Sequence, residues 1–305
     1  MGLAALALTM EAGLLAVILG DAAPDSVAAR QRMAFWQAVT AGRAAPDAGL
    51  ERRLAADILA LQGKVPAEVL AARRGPMLVR AASALRAAGE PAPQGLRRAV
   101  APEDFARDGL AVPFAGFFAV EDFALSFRRF DGGTGGPARR EVFVGCDAVT
   151  VLPWDPVRDR VLVIEQVRAA PIARGDANPW QIEAVAGRID PGETPEQAAR
   201  REAVEEAGLH LGRLVAVGGY YPSPAALSEF LYSYIGLCDL PDDAAGVFGV
   251  AAEAEDIRGH LVGLDEMAAR MEAGEIGNAP LMLSLLWLLR HRDRLKAEVG
   301  AGTPI

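Results

Sequence analysis

Residues 187 to 209, GRIDPGETPEQAARREAVEEAGL, crowd six acids into one turn and one short helix: Asp190, Glu193, Glu196, Glu202, Glu205 and Glu206. Like charges at helical spacing destabilise a helix, so a fold that keeps this segment must supply something to hold it. Both helix ends are marked. Thr194 offers a hydroxyl cap, Pro195 takes the first helical position, and Gln197 is the return arm of a capping box. Gly208 is a natural stop. Between these ends Glu202, Glu205 and Glu206 stand at i, i+3 and i+4, so their carboxylates share one face, and Arg200 and Arg201 cannot neutralise all three. A solvated acidic face is what most charge runs are. The competing reading is a divalent-cation site, because Mg²⁺ and Mn²⁺ prefer hard carboxylate oxygens. Spacing alone leaves both open.

The flanking chain changes character near residue 105. LERRLAADILALQG and PAEVLAARRGPMLVRAASALRAAG space Leu, Ile and Val at three and four residues, which predicts amphipathic helices through the first hundred residues. GEPAPQGLRRAVAPEDF, residues 89–105, is rich in Pro and Gly and reads as a linker. Beyond it FFAVEDFALSFRRF, REVFVGCDAVTVLPW, RVLVIEQVR, WQIEAVAGRI, EFLYSYIGLC and RGHLVGL each predict a strand, with turns at DGGTGG and DPVRD. LDEMAARMEAG and APLMLSLLWLLRHRDRLKAEV predict helices, the second capped by Asn278. Strands first, helices interspersed and no regular βαβ period imply an α+β fold. The expected organisation is an amino-terminal helical domain with its linker over 1–105 and a second domain over 106–305.

Composition narrows the function. A formal charge of −9 disfavours nonspecific nucleic-acid binding, which depends on Lys and Arg displacing phosphate counterions. Cys146 and Cys238 are far apart and lack metal-ligand spacing, as suits a reducing cytoplasm. His210, His260 and His291 are scattered and read as surface residues. The opening run MGLAALALTMEAGLLAVILG lacks the basic residues of a signal sequence and carries Glu11, so a soluble helix is expected there rather than a membrane span.

Gly187, five residues, Glu193, seven residues, Arg201-Glu202-Ala203, one residue, Glu205-Glu206, one residue and Gly208-Leu209 match the Nudix box at every fixed position. The chain therefore resembles a Nudix hydrolase, and that resemblance implies a mixed β-sheet flanked by helices in an α/β/α sandwich. It further implies two or three Mg²⁺ ions, with Mn²⁺ as the alternative, held against a diphosphate. Glu202, Glu206 and Glu205 would be metal ligands, with Glu193 and Arg201 the ion pair that orients them. Over roughly residues 114–299 the resemblance narrows to the ADP-ribose pyrophosphatase branch, with Pro224 as a marker but Ala225 where that branch usually carries glycine. Carried over by position, Glu253 would be the catalytic base and Glu255 a further metal ligand, with the carbonyl of Ala186 completing the shell. Arg168 would contact phosphate, Arg140, Glu141 and Phe117 would surround the adenosine, Glu229 would lie near the terminal ribose, and Ser223 would also bind substrate. Relatives in this branch exchange amino-terminal strands as homodimers, so Phe117 and Arg140 would act across the interface.

The leading expectation is Mg²⁺-dependent hydrolysis of ADP-ribose to AMP and ribose 5-phosphate by a cytoplasmic homodimer. NADH, FAD or a nucleotide sugar are alternatives within the class. A nucleotide sensor signalling through the helical region is an alternative outside it, although degenerate boxes typify such sensors and this box is complete. Two-part Nudix proteins of this look sometimes carry a tellurite-resistance label, which nothing in the residues explains chemically.

Overall fold

The computed structural model describes residues 10–91, 95–250 and 254–302. The chain forms two compact units, one within residues 1–146, 190–192 and 223–228, the other within 147–189, 193–222 and 229–305.

Among the described residues of the first unit five α-helices follow one another: α1 (Ala12–Leu19), α2 (Val27–Thr40), α3 (Ala48–Ala60), α4 (Ala67–Ala72) and α5 (Arg74–Gly89). The side chains of Glu11, Ser26 and Asp47 accept backbone N–H groups at the starts of the first three, satisfying donors that a helix end leaves open. The three- and four-residue spacing turns Ile18, Met33, Leu50, Leu54, Ile58 and Leu70 into one buried core. A three-stranded antiparallel sheet completes the unit: β1 (Phe105–Ala115), β2 (Ala119–Arg128) and β3 (Thr134–Val144). Leu110 and Val112 of β1 pack on the helical core, Arg73 Nε donates to the Gly116 carbonyl at 2.6 Å, and Arg80 and Arg107 both pair with Glu121 of β2. Sequence reading missed β1. FARDGLAVPFA contains Gly109 and Pro113, two residues unsuited to a strand interior, and its register against β2 shifts between Asp108 and Ala111 and again before Phe114. REVFVGCDAVTVLPW is also two strands rather than one, broken at residues 145–147 between β3 and β4 (Ala148–Asp155). Of the opening apolar run, residues 1–9 lie outside those described, and the remainder contributes α1.

The second unit is a mixed sheet between helices, as the sequence predicts. Its main path runs β10 (Val247–Phe248), β11 (Ile257–Gly263), β5 (Arg160–Val167), β4, β9 (Leu231–Leu237) and β8 (Leu214–Tyr220), with β4 and β9 parallel and the other pairs antiparallel. Strand β8 was not expected as an element; its sequence LVAVGGY carries two glycines, Gly218 and Gly219, before its last residue. The central strands β4, β5 and β9 bury both faces, residues alternating between the two sides. Val149, Val151, Leu162 and Ile164 point to one side and pack on Ala198, Ala199, Ala203 and Ala207 of α7 (Pro195–Ala207). Leu152, Trp154, Val161 and Val163 point to the other and meet Leu264 and Met267 of α8 (Leu264–Glu272) and Leu281, Leu285 and Leu288 of α9 (Ala279–Gly300). Asn278 caps α9 as predicted, accepting the Leu281 N–H at 3.1 Å.

One irregularity in this sheet positions the site. β4 and β5 pair only through Trp154–Val161 and Asp155–Arg160, then part. Into the gap run β6 (Trp180–Glu183), paired with β5, and β7 (Val185–Arg188), paired with β4, so WQIEAVAGRI is two short strands that change partner at Ala184. A short helix α6 (Ala169–Arg174) joins β5 to β6. Among the described residues no helix is long and apolar enough to cross a membrane.

Candidate active site

The helix that carries the acids is built at both ends as its sequence demands. Thr194 Oγ1 accepts the Gln197 N–H at 3.2 Å while Gln197 Oε1 accepts the Thr194 N–H at 2.8 Å, and Gly208 closes α7 in the left-handed region at φ 63°. Alanines at 198, 199, 203 and 207 let the helix lie close to the sheet. Its acidic face is thereby brought against β7.

Arg201 organises that face. Its Nε and Nη2 donate to the two oxygens of Glu193 at 2.8 and 2.9 Å, Nη2 also reaches the Arg188 carbonyl at 2.9 Å, and Nη1 donates to Glu202 at 2.7 Å and Glu205 at 2.9 Å. All five guanidinium donors are thus engaged. One side chain ties the entry loop, the end of β7 and the helix together. The hydrogen bond to Glu193 pushes the Arg201 pKa up, against the opposing effect of burial.

Glu206 is almost wholly buried and accepts the Ala186 N–H at 2.9 Å. Burial pushes its pKa up to about 8; the Ala186 bond and Arg168 resist, and the neighbouring charges of Glu202 and Glu255 add to the rise. Glu202 is pushed up to about 7 by burial, opposed by Arg201 and reinforced by Glu205 and Glu255. Room for Glu202 exists because residue 187 is glycine: a Cβ there would overlap the Glu202 carboxylate. Glu255 arrives from the loop before β11, with Oε2 accepting the Val250 N–H at 2.9 Å, and that loop is fastened to α7 through Gly249 N–H and the Glu205 carbonyl at 3.3 Å.

These residues fit a divalent cation by their chemistry. The side chains are all oxygen donors, they are crowded, and two are buried enough that the site is short of positive charge. As they stand, among the described residues, no three acidic, imidazole or thiol side chains converge on one ion position. Glu202 and Glu205 are turned onto Arg201, and Glu206 onto Ala186.

On the same side of the sheet, Arg168 at the end of β5 donates through Nε to Glu183 of β6 at 2.8 Å. Burial pushes the Glu183 pKa up, with Arg168 pulling it down; Glu229 is raised by burial and likewise opposed by Arg168. The second unit therefore brings together Glu193, Arg201, Glu202, Glu205, Glu206, Ala186, Glu255, Arg168 and Glu229. Glu183 was passed over in the sequence. The signal available was faint: a carboxylate two residues from Gln181 on one side of a short, partly buried strand whose first residue, Trp180, is exposed.

The other candidates lie elsewhere. Glu253 is outside the described residues. Phe117, Arg140, Glu141 and Ser223 belong to the first unit. There Phe117 is exposed and meets Phe118 edge-on at 4.9 Å, Arg140 and Glu141 lie exposed on β3 opposite Phe123 and Asp122, and the carbonyl of Ser223 accepts the Leu227 N–H at 2.9 Å. The loop of Ser223 is fixed to β3 by Phe143 N–H to the Ala226 carbonyl at 2.8 Å. His260 corrects the expectation of three lone surface histidines, because it is half-buried and its Nε2 lies 2.9 Å from Glu165.

The NUDIX domain profile matches residues 146–283. A protein of Escherichia coli (strain K12) described as ADP-ribose pyrophosphatase is 40% identical over 185 residues, which is 61% of this chain and 88% of that one. A GDP-mannose pyrophosphatase of Citrobacter koseri is 30% identical over 150 residues, 49% of this chain and 77% of that one. A solved structure described as an ADP compounds hydrolase covers 66% of this chain and 98% of its own at 19% identity and a TM-score of 0.49. This chain belongs to the Nudix family.

Proposed function

We propose that the protein hydrolyses ADP-ribose to AMP and ribose 5-phosphate in a Mg²⁺-dependent reaction, with Mn²⁺ as the alternative ion. The observation that carries the chemistry is the cluster of buried and crowded carboxylates organised by a single saturated arginine. The substrate rests on the relatives: one is described as acting on ADP-ribose and another on GDP-mannose, both nucleoside diphosphates joined to a sugar. Cleaving such a diphosphate means neutralising phosphoryl oxygens and aligning a water in line with the leaving oxygen.

Glu202, Glu205, Glu206, Glu255 and the Ala186 carbonyl would hold the ions, which when bound offset phosphoryl charge and lower the pKa of a coordinated water. Arg201 and Glu193 keep the carboxylates in place. Arg168 offers guanidinium donors to a phosphate, a role suited to a fork that stays charged. Glu253 receives the proton of the attacking water. Arg140, Glu141 and Phe117 surround the adenosine, Glu229 lies near the terminal ribose, and Ser223 also binds substrate. The working form is a cytoplasmic homodimer in which amino-terminal strands are exchanged, with residues 1–105 as a helical domain assisting dimerisation or regulation and 106–305 as the hydrolase.

Purified protein with Mg²⁺ should be given ADP-ribose, NADH, FAD and a panel of nucleotide sugars, and products separated by chromatography. The expected result is preferred turnover of ADP-ribose with AMP as the nucleotide product. Equal turnover of all of them would overturn the substrate assignment, and no turnover of any would overturn the activity.

A further inference from the structure

Two arginines stand near the acidic face, and the structure treats them in opposite ways. Arg201 has all five donors engaged by protein oxygens. Arg168 has one engaged, Nε to Glu183, and among the described residues its two Nη groups donate no hydrogen bond, though its charge acts on Glu206 and Glu229 nearby. A guanidinium fully satisfied by protein is a brace. One gripped by Nε alone presents its outer edge, with up to four donors, to whatever comes. What fixes the direction of that edge is the partner at Nε.

Glu183 is built to be such a partner. It is mostly buried, and it stands on β6 at the register position opposite Ile164 of β5, four residues before Arg168. The strand holding it is pinned from the far side: Asn278 Nδ2 donates to the Ile182 carbonyl at 2.6 Å, and the Arg168 N–H donates to the Pro179 carbonyl at 3.0 Å. A carboxylate so confined cannot follow Arg168 into solvent, so the arginine is held by the rigid element. Burying a carboxylate costs free energy unless it is paired. A mostly buried carboxylate kept here, with Gln166 beside it and Arg168 as its ionic partner, is explained by what it does to Arg168.

We infer that Glu183 is a positioning residue, locking Arg168 by its Nε so that the two Nη groups form a preset fork for the substrate diphosphate. This rests on the functional reading above, in which Arg168 faces phosphate. Held in advance, the fork loses little side-chain freedom when the anion binds. It contributes to binding before and during reaction alike, so its loss is expected in KM more than in kcat.

A double-mutant cycle tests it, with ADP-ribose turnover in Mg²⁺ and, separately, calorimetric binding of ADP as a probe carrying the diphosphate without the terminal ribose. Glu183→Ala is expected to raise KM at least tenfold with kcat within about threefold. Glu183→Gln, which retains an acceptor for Nε, is expected to recover most of that loss. In the Arg168→Ala background, Glu183→Ala should add no further loss in kcat/KM or in ADP affinity. Additive losses in the cycle, or a Glu183→Gln variant as poor as Glu183→Ala, overturn the inference. If the wild-type protein hydrolyses no diphosphate, the functional reading falls, and the ADP-binding cycle still decides whether Glu183 acts through Arg168.

Discussion

At the scale of single residues the site depends on how Arg201 and Gly187 are used. Arg201 must reach Glu193, Glu202, Glu205 and the Arg188 carbonyl at once. A lysine keeps the charge but brings three donors from one point, so it cannot bridge the same set. Arg201→Lys is therefore expected to lower kcat/KM about 10- to 100-fold, the usual cost of losing a partner that orients metal ligands, while circular dichroism stays unchanged. Gly187→Ala acts by displacement. Its Cβ would take the space of the Glu202 carboxylate, and moving that group by about an ångström is expected to lower kcat on the order of 10²-fold. Wild-type activity in that variant would show that Glu202 does not need its place against β7. The glycine and arginine positions were visible in the sequence as fixed members of the box. The overlap that makes glycine necessary, and the fifth donor to a backbone carbonyl, were not, since both are made by chain segments meeting in space. Glu183 was missed for the same reason: its meaning lies in Arg168, fifteen residues away.

At the scale of elements, local chemistry predicted what local chemistry builds. The capping box at Thr194 and Gln197, the Gly208 stop and the Asn278 cap are each present, because each is a hydrogen bond among neighbours. Thr194→Ala should cost about 1 kcal/mol of stability by loss of the cap, read as a lowered urea midpoint with unchanged slope. The elements that escaped notice, β1 and β8, carry glycine or proline and owe their existence to partners distant in sequence. The turn between β4 and β5 makes a pH-dependent contribution. Asp155 is buried, and although burial pushes its pKa up, hydrogen bonds from the Arg158, Leu240 and Val157 backbones and the Arg158 side chain outweigh that and leave it below the ordinary aspartate value. A depressed folded-state pKa stabilises above the unfolded value of about 3.9 and loses that contribution as pH falls through the folded one. Asp155→Ala should cost about 1–3 kcal/mol at pH 7 by stranding the buried Leu240 N–H. Its deficit should shrink as pH falls below the unfolded value of about 3.9, and a deficit independent of pH would refute the account of this turn.

At the scale of the whole molecule, two units carry separate cores, and the family profile begins only at residue 146. Leu54 is fully buried among the helices of the first. Leu54→Ala should cost that unit about 2–5 kcal/mol and, in scanning calorimetry, lower one transition while leaving the other in place; a single transition that moves entire would contradict independent cores. The chain as a whole is acidic, at a formal −9, and so is any diphosphate. Cations must stand between them if the carboxylates of α7 are to meet a phosphate at all. The direct test is Mn²⁺ binding to the wild-type protein and to Glu206→Gln at neutral pH, followed by electron paramagnetic resonance of the free ion. The wild type should take up Mn²⁺ at this site, and Glu206→Gln should bind it at least about tenfold more weakly with its fold intact. Equal binding by both proteins, or none by the wild type, would contradict the claim that these glutamates are gathered to hold metal.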